Sequence, residues 1–384
     1  MNRKQFLAVL AALIVLVAAG AGVMWSDRSS WKAEDARVGQ KLFPGLRISD
    51  VAEVRVQEPS KTLTLAKGAQ GWTVRERGDF AADLERIGQL LIKVAGLRIV
   101  QHEPLPDSQR ARLELVEPKG RDEANAGTLL ELKDASGKSL ARLLLGKKVM
   151  KSAEVASASG AAGGLPSGRY VVAAGDPANV SAVSDPLAEA EAKVDNWLVR
   201  DLMRADRLKS ITATGPDGRQ RFALTREDDN APWKLAGTGG KPDSGKIQDV
   251  VSSLTYLSLQ DVVADAKSAQ LEHSVTVRAD TFDGLTYTVR VGDKAGDDRY
   301  NLGLSVSGEP AKQRVPDKSE SAKDKEKNDK EFAERLNKLE QKVDREKKLD
   351  HWTYLVSKSS VEALLRERAQ LMPEKKKDEK TKTR

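Results

Sequence analysis

Apolar and polar positions alternate in short runs along this chain, and the runs come in two sets. In the first set "VAEVRV" and "TLTLAKG" lead to "GWTVRE"; in the second, "LKSITATG" and "RFALTRE" lead to "PWKLAG". Leu63 and Leu65 match Phe222 and Leu224, and Trp72 and Val74 match Trp233 and Leu235. That period of two predicts half-buried strands. A helical spacing follows in each set. Ile87, Leu91, Val94, Leu97 and Ile99 recur as Ile247, Val251, Leu254, Leu257 and Leu259, every one 160 positions further on. The first four of each series form the apolar stripe of a helix that packs on a sheet.

Two more strands then flank a turn, "LLELKDASGKSLARLLLGKK" in the first set and "VTVRADTFDGLTYTVRVGDK" in the second. Asp134 to Gly137 and Asp283-Gly284 supply the turn residues. An aromatic strand and a short helix are expected to close each set. They are "RYVVAA" with "DPANVSAVSDPL", then "HWTYLVSK" with "SSVEALLRERAQLM". The pattern predicts a duplicated α+β unit of antiparallel sheet plus helix, with Trp72, Trp233, Ile87, Leu91, Val94, Ile247, Val251 and Leu254 as the repeat core.

Ahead of the repeats, Arg3 and Lys4 precede Phe6 to Trp25, twenty residues without a charge. At 1.5 Å per residue such a segment spans a hydrocarbon core of about 30 Å. The expected organisation is a cytoplasmic n-region at 1–5, a transmembrane anchor at 6–25 and a linker at 26–44. The first repeat follows at 45–204, the second at 205–372 with an insertion at 308–350, and a disordered charged tail at 373–384. In a bacterium this predicts a single-pass inner-membrane protein with its bulk in the periplasm. The small residues Ala18 to Gly22 leave a cleaved signal peptide open as the alternative.

The insertion distinguishes the second set from the first. Phe332, Leu336, Leu339 and Val343 are spaced four, three and four, a short seam of coiled-coil type in a run dense in Lys and Glu. It reads as a helix folded on its own domain, as an arm whose seam meets a protein partner, or as disorder.

Composition removes several functions. Lys and Arg number 64 against 57 Asp and Glu, for a net charge of +7 over 384 residues. Charge is dense without one dominant sign, which argues against a dedicated nucleic-acid partner. The zero cysteine count excludes disulfides and thiolate metal sites. Gly240, Gly245 and Lys246 in "GTGGKPDSGKI" stand at phosphate-loop spacing, but no Ser or Thr follows Lys246 and Pro242 removes a backbone N–H. A helix start with Asp243 or Ser244 as N-cap is expected instead. His102, His273 and His351 lack a second ligand at metal spacing and are expected at the surface or on a strand edge. Asp293, Asp297 and Asp298 read as a turn rather than a calcium site, and Ser305 as a strand residue. Trp72, Trp233, Trp197 and Trp352 read as core, with a ligand platform as the alternative. No catalytic, metal or cofactor site is expected.

"GWTV" followed by "FAADLERIGQLL", "LLLGKK" before "RYVV", and "WLVRDL" at Trp197 to Leu202 together resemble the bacterial domain-of-unknown-function family 4340. Ala81 stands where that pattern has proline. The resemblance implies an envelope protein of repeated modules and the context of ABC-type export systems; it carries over no catalytic residue. The function expected is a noncatalytic, membrane-anchored accessory module with protein partners in the envelope, with Phe332, Leu336, Leu339 and Val343 as the contact. A periplasmic lipid- or glycan-binding module is the alternative.

Overall fold

The computed structural model describes residues 37–120, 124–150, 166–237, 241–263, 271–314 and 321–373. The chain divides into two compact units, Met1–Gln70 with Leu84–Lys193, and Gly71–Asp83 with Val194–Arg384. It opens with β1 (Glu53–Gln57) and β2 (Thr62–Gly68), and a short hairpin of β3 (Gly71–Val74) and β4 (Phe80–Ala81) follows, which belongs to the second unit. Helix α1 (Leu84–Gly96), β5 (Ile99–Pro104), β6 (Thr128–Lys133), β7 (Ser139–Met150), β8 (Pro166–Ala173) and β9 (Asn179–Val183) complete the first unit. Its strands pair in the order β2-β1-β6-β7-β8-β9-β5, all antiparallel.

The second unit continues with β10 (Asp201–Met203), β11 (Leu208–Thr214), β12 (Gln220–Thr225), β13 (Lys234–Leu235), helix α2 (Ser244–Thr255), β14 (Leu257–Ser258) and β15 (Asp261–Val263). It ends with β16 (Val275–Thr281), β17 (Leu285–Lys294), β18 (Arg299–Gly308), helix α3 (Ala322–Glu346) and β19 (Thr353–Ser357). The strand order is β13-β12-β11-β16-β17-β18-β19-β15, with β10 and β14 in a separate pair. From β12 to β15 this is the order of the first unit strand for strand.

Matching ladders hold both sheets together. Val54 lies opposite Leu65 and Leu132, and Ile211 lies opposite Leu224 and Ala279. All six side chains are closed to solvent, because alternation puts every second residue on the core face. Ile87, Leu90, Leu91 and Val94 form the buried stripe of α1. In α2 the buried residues are Ile247, Val250 and Leu254, while Val251 is half-buried. Trp72 and Trp233 are half-buried, and the Arg226 guanidinium lies 4.9 Å above the Trp233 ring.

Several expectations are corrected. The described residues are mostly antiparallel strand, in three sheets with few helices, rather than balanced sheet-plus-helix repeats behind a transmembrane helix. No helix among them is long and apolar enough to cross a membrane. The expected anchor at 6–25 lies outside the described residues, and the single-pass inner-membrane, periplasmic localisation drawn from it is corrected on that finding. The long charged insertion is not a coiled coil: α3 is one helix, and Val343 and Glu346 on its inner face are buried in its own unit. "DPANVSAV", expected as a short helix, contains strand β9. A short apolar run between turn signals does not distinguish the two. With β9 in place, "RYVVAA" corresponds to β18, whose own Arg299-Tyr300 opens it, and not to "HWTYLVSK".

The hairpin at Gly71–Asp83 is bound firmly within the second unit. Phe80, 4% exposed, meets the Trp352 ring edge-on at 5.2 Å and the Tyr354 ring at 6.1 Å. Arg77 donates to both oxygens of Asp261, at 2.7 and 2.8 Å, and the Asp83 amide donates to the Trp197 carbonyl at 2.8 Å. Replacing Phe80 by alanine removes a ring packed on two others. Phe80→Ala is expected to lower unfolding free energy by about 3–5 kcal/mol, read as a shift of the urea midpoint.

Candidate functional site

In the first unit the chain between β5 and β6 crosses the outer face of the sheet. Leu105 and Leu115 from this strap close on Leu144, Val172 and Val180, with Leu113 and Tyr170 against them. The crossing depends on two glycines. A Cβ at Gly146 would lie 2.3 Å from the Leu113 carbonyl oxygen, and one at Gly127 would lie 2.5 Å from that of Glu114. Without side chains there, the strap hydrogen-bonds straight onto the strands, Lys147 N to Leu113 O at 2.9 Å and Gly127 N to Val116 O at 2.9 Å.

Beside the strap lies a half-open groove of about 390 Å³. Leu115, Leu129, Leu144 and Val172 line it with apolar surface, and Arg110, Arg142 and Glu117 bring charge to it. Arg142 reaches both Glu117 oxygens at 3.2 Å, while Arg110 donates to Asp107 at 3.1 Å and to the Pro177 carbonyl at 3.0 Å. Glu117 and Asp107 are open to water, so these pairs are weak and their guanidiniums can exchange partners at small cost.

Near the same edge, register creates a second cluster that spacing did not reveal. His102 on β5 faces Ser181 on β9, and its Nδ1 lies 2.9 Å from the Ser181 Oγ. The other ring nitrogen lies 3.3 Å from Asp176 Oδ2. Burial works to raise the Asp176 carboxyl, but donors from Asn179 and Arg37 outweigh it and hold the group below the usual carboxylate range. A Ser-His-Asp order suggests nucleophilic catalysis, but the geometry argues otherwise. Ser181 is 6% exposed and its backbone is paired on both sides, so an incoming carbonyl has no path to its Oγ. The cluster instead fastens β5 to β9. His102 is therefore on an edge strand with its side chain buried, whereas His273 and His351 are exposed.

Asp243 caps α2 by accepting from the amides of Gly245 and Lys246 at 2.9 and 3.1 Å. Lys246 reaches the Met372 carbonyl at 3.1 Å, so the lysine of the phosphate-loop-like stretch is tied down; Gly240 lies outside the described residues. Among the described residues, no group of three or more His, Asp or Glu is placed to hold a metal. Asp297 and Asp298 are exposed in the turn after β17, Asp293, read as a turn residue, is instead exposed near the end of β17 itself, and Ser305 lies in β18.

In the second unit the α3 seam turns inward. Val343 is buried, and Phe332, Leu336 and Leu339 are half-buried. At its end Glu346, 1% exposed, accepts from the Tyr287 hydroxyl at 2.9 Å and from the Arg204 amide at 3.2 Å. Lys342 donates to Asp206 at 3.2 Å and to the Arg204 carbonyl, and its ammonium lies 5.8 Å from the Tyr287 ring. Burial pushes the Glu346 carboxyl above its ordinary value, against the pull of Lys342 and the Tyr287 hydrogen bond. Burial, and then the neighbouring Glu346 charge, push the Tyr287 hydroxyl up as well. Nothing in a run dense in Lys and Glu marked Glu346 as the buried member.

A family model described as "Domain of unknown function (DUF4340)" matches residues 72–274, more than half of the chain. The chain belongs to the DUF4340 family. No curated protein and no solved structure matches it. The DUF4340 span covers every residue of the groove, together with His102, Asp176 and Ser181. Tyr287, Glu346 and the α3 seam lie beyond it.

Raised by burial, the Glu346 carboxyl makes the stability of this DUF4340 chain depend on pH. Its folded pKa is raised, so between the ordinary value of about 4.3 and the raised one, the folded state keeps a proton that the unfolded state has lost. Stability from this group is present at low pH, declines as pH rises through that window, and then levels. Glu346→Gln is expected to flatten that decline in denaturation curves taken from pH 4 to 8. Equal slopes for the two proteins would remove Glu346 as its source.

Proposed function

We propose that this chain is a noncatalytic interaction module, an accessory subunit whose groove in the first unit seats an apolar segment of a protein partner. The observation that carries the reading is the groove itself. It has an apolar floor, two guanidiniums whose ion pairs exchange at small cost, and a position inside the family-matched span. Concave apolar surface with a few polar groups at its rim is the usual form of a recognition site. The enclosed Ser181 supports the noncatalytic part of the reading. The partner class to test first is an ABC-type transport assembly, which the family resemblance favours. The same apolar floor would also suit the acyl part of a lipid, and this is the second reading.

The test is a crosslink-stabilised pull-down of the full chain beside Leu129→Glu, which charges the groove floor, and Arg142→Glu, which reverses one rim charge. Transporter subunits are expected with the parent protein and at least fivefold depleted with both variants. Capture unchanged by both variants would overturn the groove as the docking place. Native mass spectrometry that finds retained lipid and no protein would put the second reading first.

A further inference from the structure

A separate cavity of about 220 Å³ lies in the second unit, where α3 approaches the sheet. Arg335, Lys338 and Lys342 follow one another at three- and four-residue steps on one face of α3, so their side chains converge on it. Arg207 adds a fourth cation from the sheet side, against the carboxylates of Asp206 and Asp283 in the lining and that of Asp229, which also accepts from Arg207. Four cations therefore stand against three carboxylates at a half-open cavity.

The pairing pattern sharpens this. Arg207 and Arg335 both donate to the same oxygen, Oδ1 of Asp283, in a side chain 12% exposed. Among the described residues Asp283 Oδ2 receives no donor, and Lys338 has no acceptor. A nearly buried acceptor and a free ammonium thus face one cavity. Arg and Lys side chains suit the oxygens of a phosphate, by fork and by point charge respectively. A free carboxylate oxygen suits a hydroxyl hydrogen.

We propose that this cavity binds a small phosphate monoester that carries a hydroxyl. The phosphate accepts from Lys338 and Arg335, and the hydroxyl donates to Asp283 Oδ2. The cavity is independent of the groove, so either reading can fail without the other.

The test is isothermal titration of the full chain with glycerol 3-phosphate, inorganic phosphate and glycerol, at ionic strength matched with chloride. Saturable binding of glycerol 3-phosphate and none of glycerol is expected. Lys338→Ala should weaken that binding at least fivefold, whereas Lys325→Ala, an exposed lysine of the first turn of the same helix, should leave it unchanged. Inorganic phosphate binding as tightly as the ester would support the oxyanion site with free phosphate as its ligand and overturn the hydroxyl contact. Absence of saturable binding by either phosphate, or equal affinity in Lys338→Ala, would overturn the proposal.

Discussion

The pairing of β1 with β6, and of β11 with β16, is the constraint on which the rest of each unit depends. These strands are distant in sequence, and a helix and an edge strand lie between them. Closing such a loop costs entropy that rises only slowly with its length, so the interior of the loop is free to vary. What offsets the closure is the ladder itself, Val54 and Val56 against Leu132 and Leu130, and Ile211 and Ala213 against Ala279 and Val277. Every member of those ladders is buried. Once the ladders are fixed, α1 and α2 have one apolar stripe each to bury, and β5 and β15 are left to finish the edge beside β9 and β19.

The two units then use the same topology for different ends. In the first, the connection after β5 lies across the outer face, and Gly127 and Gly146 let it approach to hydrogen-bonding distance. That crossing leaves apolar Leu129 and Leu144 at the bottom of a groove. In the second, the outer face carries polar residues such as Arg278, Ser305 and Ser307. The added material comes instead between β18 and β19, as α3, and its inner face ends in a carboxylate held by Tyr287 and the Arg204 amide. The two units thus differ in what connects the strands, while the strands supply a common frame.

Much of that frame was legible in the sequence. The helical stripes and the first paired strands of each set declare themselves through period, because burial on one face forces it. Strand β9 did not, since "VSAV" is too short to show a period, and mistaking it displaced the partner assigned to "RYVV". The contacts at His102, Ser181 and Asp176 were hidden for another reason. They arise from which residue of one strand stands opposite which of another, and register is a property of the assembled sheet. Glu346 was equally hidden, because one buried carboxylate among many solvated ones changes neither composition nor spacing.

The hairpin at Gly71–Asp83 has a consequence for how such a protein can be taken apart. A cut at the second boundary, between Lys193 and Val194, divides the sequence into two lengths but not the structure into two wholes. The C-terminal length would leave without the ring that covers Trp352 and Tyr354 and without the guanidinium that neutralises Asp261. The two copies are therefore not interchangeable parts: the second unit includes a hairpin encoded ahead of most of the first, and recombination at the repeat boundary would separate residues that pack together.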